Sequence, residues 1–136
     1  MGLDMYLTGD KFTPTHDDRH KRAKVDGFEV ESQRLSLGYW RKHWALHNYI
    51  EEHHNPHGDG KVDLDSEVLR ILADAVEQGL LVDPDDLDVV PNYADVYAYH
   101  KEPEQVANTV KILRNAADWL DRDDGFWRTV EYIGSW

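Results

Sequence analysis

The sequence contains no cysteine, which excludes structural disulfides, thiolate catalysis and cysteine-ligated zinc. It also lacks any apolar run close to the roughly 20 residues that a membrane-spanning helix needs. Residues 1–10 carry no basic flank ahead of an apolar stretch, so no signal peptide is predicted. We therefore expect a protein that acts in the cytoplasm, without contact with a membrane.

The common catalytic motifs are missing as well. No P-loop and no GxGxxG sequence occurs, and no serine lies in a GxSxG context. The zinc-protease motif HExxH is absent because Trp44, and not a glutamate, follows His43. We therefore predict a protein without enzymatic activity, without a cofactor and without a metal centre.

Length and composition indicate one globular domain covering residues 1–136, with 40% hydrophobic residues and five tryptophans. The formal net charge is −12, which argues against non-specific binding of nucleic acid or of an anionic membrane. The charge is uneven, because residues 1–43 have a balance of +1 and residues 44–136 a balance of −13. An anionic ligand would therefore find its site more readily in the first third of the chain.

Hydrophobic periodicity predicts three strands and three helices. Alternation of apolar and polar residues indicates strands at 3–8, at 28–37 and at 126–136, with Gly27 marking the start of the second strand and the charged stretch 14–26 forming a loop. Helical spacing indicates helices at 38–53, at 65–79 and at 103–121, and residues 82–100 are predicted to be irregular.

The expected caps support these helices. Ser36 or Gly38 would begin the first, Asp65 would cap the second, and Pro103 would occupy the first turn of the third. This order of elements predicts an α+β fold, in which a small antiparallel sheet of about three strands carries about three helices on one face.

The stretch from Tyr39 to His57 concentrates unusual chemistry. Its nineteen residues hold two tryptophans, two tyrosines, one arginine, one lysine and five of the eight histidines. His43 and His47 are spaced i and i+4, which on a helix is half of a zinc site. A metal-dependent hydrolase that uses both histidines together with His57 is therefore one hypothesis. Packing of the two imidazoles among apolar neighbours is the alternative.

A second metal hypothesis concerns the segment 55–66, which resembles the calcium loop of an EF-hand. Gly60 and Val62 occupy the sixth and eighth positions, where that loop has its sharp turn and its hydrophobic anchor. Ser66, however, stands at the twelfth position, where the bidentate glutamate should be. The alternative interpretation of this sequence is a glycine turn followed by the capped start of a helix.

The favoured site is one for an anion. Basic residues lie in the predicted loop 14–26, and two more lie in the first turn of the predicted helix 38–53. Arginine can clamp a phosphate, and aromatic rings can stack on a base. The alternative is a solvated basic loop beside a packed helix. The predicted ligand-binding residues are Tyr39, Trp40, Arg41, Lys42, Trp44, His47, Arg19, Lys21 and Arg22.

Three short motifs resemble a widespread family of small uncharacterised bacteriophage proteins. They are GLDMYL at 2–7, YWRK at 39–42 followed by Leu46 and His47, and the terminal Ser135–Trp136 pair. The resemblance implies phage accessory biology inside an infected cell and no established activity. The family has an asparagine where this chain has Trp44.

These observations lead to a binding function. The leading hypothesis is a non-enzymatic phage accessory protein that sequesters a small anionic ligand of nucleotide type, such as an immune signal of the host. The alternative is an inhibitor whose acidic surface mimics nucleic acid and blocks a host protein. The acidic groups of that alternative are Asp85, Asp86, Asp88, Asp121, Asp123 and Asp124. Assembly into a homo-oligomer is left open by either hypothesis.

Overall fold

A computed structural model describes residues 2–13, 22–81 and 102–135. The predicted irregular segment 82–100 therefore lies outside the described residues. The elements, in chain order, are β1 (Asp4–Phe12), β2 (Lys24–Val25), β3 (Phe28–Glu29), β4 (Ser32–Arg41), α1 (Trp44–His54), β5 (Val62–Asp63), α2 (Ser66–Glu77), α3 (Pro103–Leu120) and β6 (Trp127–Ser135). This arrangement confirms the predicted α+β class.

The main sheet is antiparallel, with four strands in the order β4-β1-β6-β5. β1 lies inside the sheet and pairs along its whole length with β4 on one side and β6 on the other. The sheet has one strand more than predicted, since β5 is only two residues long and too short to show a period. β2 and β3 form a separate hairpin, whose turn at Asp26 and Gly27 has φ of 53° and 83°. Two successive positive φ values are typical of a type I′ turn, so Gly27 lies in a turn and not at the start of a long strand.

The predicted helix 38–53 is wrong in its first residues. β4 continues through Arg41, and α1 begins only at Trp44. The chain changes direction at Lys42, whose φ is 58° and whose backbone N–H donates to the carbonyl of Leu3 at 2.7 Å. Neither Ser36 nor Gly38 caps α1, because both lie in the strand. Nδ1 of His43 instead accepts a hydrogen bond from the backbone N–H of Leu46 at 3.3 Å.

The other two helices are confirmed close to their predicted bounds. Asp65 caps α2 by accepting from the backbone N–H of Val68 at 2.8 Å, and Pro103 stands in the first turn of α3. Two arginines cross-link these helices: Arg70 pairs with Asp118 and Arg114 pairs with Asp74, at 3.1 and 3.0 Å. Because all four side chains are well exposed, these pairs orient the helices more than they stabilise them.

The hydrophobic core lies between the helices and one face of the sheet, called here the inner face. α3 approaches this face closely, since a Cβ built on Gly9 would lie 2.7 Å from the ring of Trp119, and one built on Gly38 would collide with the side chain of Ile112. Any side chain at Gly9 or Gly38 would push the helix away. The fully buried core residues include Leu3, Met5, Leu7, Leu46, Ile50, Leu69, Leu72, Leu113, Val130 and Tyr132.

The opposite face of the sheet, called here the outer face, carries side chains that are substantially exposed. Tyr6 and Tyr39 are 42% and 49% exposed. Phe12 and its partner Trp127 on β6, at the other end of this face, are 40% and 73% exposed. Between the two aromatic ends lies a polar centre, where Arg34 forms a double hydrogen bond with Asp10, both at 3.1 Å.

Candidate functional site

Strand alternation separates two adjacent residues of the predicted site. Tyr39 faces outward, whereas Trp40 faces the core and is only 2% exposed. The indole N–H of Trp40 donates to the hydroxyl of Thr109 on α3 at 3.1 Å, and Thr109 is itself fully buried. Trp40 therefore joins the sheet to α3 from inside the core.

His47 and Trp44 also lie on the inner side, at the start of α1. His47 is 4% exposed, and its Nδ1 is 2.5 Å from the hydroxyl of Tyr132 on β6. The ring rests against the backbone of Gly134, where an added Cβ would approach it to 2.8 Å, and it makes an edge contact with Trp44. Burial lowers the pKa of His47 and raises that of Tyr132, so it favours the neutral form of both groups.

Arg22 makes structural contacts at the base of the β2–β3 hairpin. Its guanidinium donates twice to the carbonyl of Thr13, at 3.1 and 3.0 Å, and lies 3.7 Å from a carboxylate oxygen of Glu29. These contacts tie the hairpin to the end of β1. Arg19 and Lys21, the other two predicted residues of this loop, lie outside the described residues.

The outward residues of the predicted site come together with a tyrosine from β1. Tyr6 pairs directly with Tyr39 across the two strands, and their ring centroids are 5.4 Å apart with a 50° tilt. The hydroxyl of Tyr39 donates to the carboxylate of Asp4 at 2.5 Å, a contact that raises the pKa of Tyr39. On the other side, Ile133 of β6 stands opposite Tyr6.

Arg41 and Lys42 lie at the edge of this aromatic pair. Arg41 is the strand partner of Asp4, one step along the outer face from Tyr39. A Cβ built on Gly2 would lie 3.1 Å from Nη2 of Arg41 and 3.3 Å from Cε of Lys42, so both cationic side chains extend past Gly2. We call Tyr6, Tyr39, Arg41 and Lys42 the tyrosine patch.

The tyrosine patch keeps three of the nine predicted ligand-binding residues together, namely Tyr39, Arg41 and Lys42. Tyr6 is not among the residues that the sequence predicts for the site. The signal was present, because alternation in residues 3–8 places Tyr6 with Asp4 and Thr8 on the polar side of the strand. What the sequence did not provide was the pairing of β1 with β4, which brings Tyr6 beside Tyr39.

The histidines do not assemble as a metal site in the described part of the chain, where no three His, Asp or Glu side chains have a metal-binding arrangement. His43 caps α1, and the ring of His53 lies against that of Tyr49, with centroids 4.4 Å apart and a tilt of 44°. The segment 55–66, which resembles an EF-hand loop, is held in a turn by the side-chain amide of Asn55. This amide donates to the carbonyl of Asp59 and accepts from its backbone N–H.

The acidic residues of the alternative hypothesis are partly engaged in ion pairs. Asp121 pairs with Arg70 at 2.6 Å, and Asp124 forms a double hydrogen bond with the buried guanidinium of Arg128, at 2.6 and 2.7 Å. The Arg128 guanidinium holds the pKa of Asp124 well below its usual range. Asp85, Asp86 and Asp88 lie outside the described residues.

No helix in the described ranges has both the length and the apolar character that crossing a membrane requires. Comparison with protein-family models, with curated proteins and with solved structures finds no match. The resemblance to bacteriophage proteins is therefore untested and stays a prediction, and a function has to be argued from the tyrosine patch itself.

Proposed function

We propose that this protein is a non-enzymatic binding protein, which captures a small anionic aromatic ligand of nucleotide type on the tyrosine patch. The observation that carries the proposal is the exposed pair of Tyr6 and Tyr39 beside two cationic side chains. A base stacks on tyrosine whatever its identity, and such stacking contributes about 1–3 kcal/mol per base. Arg41 and Lys42 supply positive charge for a phosphate at the end of the same surface.

Charge on the outer face favours a small ligand over a polymer. Asp4, Asp10 and Glu131 all face the same side of the sheet as the two tyrosines. A nucleic acid strand would have to carry its phosphates across these carboxylates, whereas a single nucleotide needs only the cationic end. The net charge of −12 acts in the same direction.

The biological setting is a further part of the proposal. If the resemblance to bacteriophage proteins reflects common ancestry, the ligand would be a nucleotide signal in the cytoplasm of an infected cell. Removing that signal would need tight binding and no chemistry.

Isothermal titration of the purified protein against a panel of nucleotides tests the proposal. We expect binding by the wild type, and at least roughly tenfold weaker binding by Tyr39→Ala and by Arg41→Ala, since each loses an interaction of 1.4 kcal/mol or more. Two matched controls should bind like the wild type: Trp127→Ala, an exposed aromatic at the far end of the same face, and Arg122→Ala, an exposed arginine after α3. Absence of heat with every nucleotide, or unchanged binding by Arg41→Ala, would refute it.

A further inference from the structure

Glu131 is the one glutamate on the outer face of the central strand β6, and its surroundings are unusual for a carboxylate. It lies opposite Thr8 on β1 and Asp63 on β5, and its side chain is only 12% exposed. Within the described residues, Oε2 is buried and makes no hydrogen bond. Nη2 of Arg34 is 3.8 Å from it, beyond hydrogen-bond distance.

A buried carboxylate oxygen without a donor is costly, and such an atom in a folded protein calls for an explanation. Lys61 lies 3.5 Å from the other oxygen, Oε1, and compensates part of the charge without supplying a short hydrogen bond to either oxygen. The terminal torsion of a glutamate is broad, so that either oxygen can turn toward a new partner. N–H groups of a ligand held next to Glu131 would supply the missing donors.

The position of Glu131 relative to the tyrosine patch determines which part of a ligand it meets. Successive outward residues on a strand are about 7 Å apart. The row of Thr8 and Glu131 therefore lies one such step from Tyr6 on one side, and the row of Asp4 and Arg41 lies one step away on the other. A base stacked on the tyrosines would have its phosphate toward Arg41 and its far edge toward Glu131.

We infer that the ligand of the tyrosine patch is a guanine nucleotide, whose Watson–Crick edge is read by the carboxylate of Glu131. Guanine presents two adjacent donors on that edge, N1–H and the N2 amino group, and a carboxylate accepts both. Adenine presents one donor beside the lone pair of its N1, which would face a carboxylate oxygen and be repelled. This inference rests on the proposed function, because it specifies the ligand of the same site.

The test is a titration of the wild type with GMP, AMP and IMP, followed by GMP and AMP on two variants. We expect GMP to bind about tenfold more tightly than AMP, with IMP between them because it lacks the N2 amino group. In Glu131→Gln the amide offers one acceptor and places a donor against the second guanine donor, so the preference for GMP should fall to near one. Asp118→Asn is the matched control: it changes a carboxylate that also pairs with an arginine but lies on α3, away from the outer face, and should keep the preference.

The outcomes separate the two proposals. Equal affinity for GMP and AMP, or a GMP preference that survives in Glu131→Gln, would overturn the guanine inference while leaving capture of nucleotides intact. Failure of all three nucleotides to bind would instead overturn the proposed function. The three-nucleotide comparison on the wild type needs no variant, so equal affinities would overturn the inference even if Glu131→Gln folds poorly. Thermal melts of both variants identify that case.

Discussion

Replacing Trp40 by phenylalanine should destabilise the fold strongly, although Trp40 stands between two exposed residues of the tyrosine patch. The substitution removes the hydrogen bond from the indole N–H to Thr109, which contributes about 1 kcal/mol. It also removes buried ring atoms from a side chain that is 2% exposed, which costs a further 1–2 kcal/mol at about 0.8 kcal/mol per methylene-sized group. We expect a total loss of about 2–3 kcal/mol in the free energy of unfolding.

Urea unfolding followed by circular dichroism measures this loss, and a chain of this size should show a Tm lower by about 10 °C. Trp127→Phe is the matched control, because Trp127 is 73% exposed and its replacement should change the free energy of unfolding by no more than about 0.5 kcal/mol. The folded fraction of Trp40→Phe should still bind a nucleotide like the wild type. If Trp40→Phe were as stable as Trp127→Phe, the inward direction of Trp40 would be wrong, and the outward direction of Tyr39 and Arg41 would fail with it.

Two further predictions concern a buried histidine and a buried ion pair. Lowering the pH from about 8 to about 5 should destabilise the wild type more steeply than His47→Gln, because burial lowers the pKa of His47 in the folded state. The stability that depends on the neutral imidazole is fully present above 6.5, the ordinary pKa of histidine. It is lost as the pH falls from there through the lower pKa of the folded state. Equal slopes in urea unfolding at several pH values would contradict this. Asp124→Asn should lower the Tm clearly more than Asp123→Asn does, because Asp124 pairs with the buried guanidinium of Arg128 and Asp123 does not. Equal Tm values of the two variants by calorimetry would show that this ion pair does not matter for stability.

Part of the fold could be predicted because the periodic signals were long. Alternation identified β1 and β6, and Asp65 and Pro103 marked the starts of α2 and α3 within a residue or two. β5 could not be predicted, because two residues show no period. It is a strand only because it pairs with residues 131–132 of β6.

The error at 38–43 has a specific physical cause. Trp40, Trp44 and His47 are spaced as on one face of a helix, and Trp40 and His47 are indeed buried. Trp40, however, reaches the core from the inner face of β4, and His47 reaches it from α1, across the turn at Lys42. The pattern therefore predicted burial correctly and the element wrongly, because a strand and the helix after it pack into the same core.

The same error explains why the predicted site combines buried aromatic residues and His47 with Arg41 and Lys42. A helix over residues 38–53 would have put Trp40, Trp44 and His47 beside Arg41 and Lys42. Strand alternation instead turns Trp40 toward the core and leaves Tyr39 and Arg41 outside, and Trp44 and His47 pack on the inner side from α1. The partner of Tyr39 comes from a strand more than thirty residues earlier. Neither Tyr6 nor Glu131 could be assigned to the site before the order of the strands was known.

The pairing of β1 with β6 also determines how this protein has to fold. The two strands lie side by side at the centre of the sheet, yet Asp4 pairs with Ser135, so the contact joins opposite ends of the described chain. Contacts this distant in sequence form slowly, because the intervening loop must be closed before the contact yields any stability. During synthesis, β1 and β4 can form a hairpin early, but one edge of β1 has no strand beside it until β6 has emerged from the ribosome. The central pairing is therefore completed after translation of β6, and until then the open edge of β1 offers unpaired backbone groups to other chains.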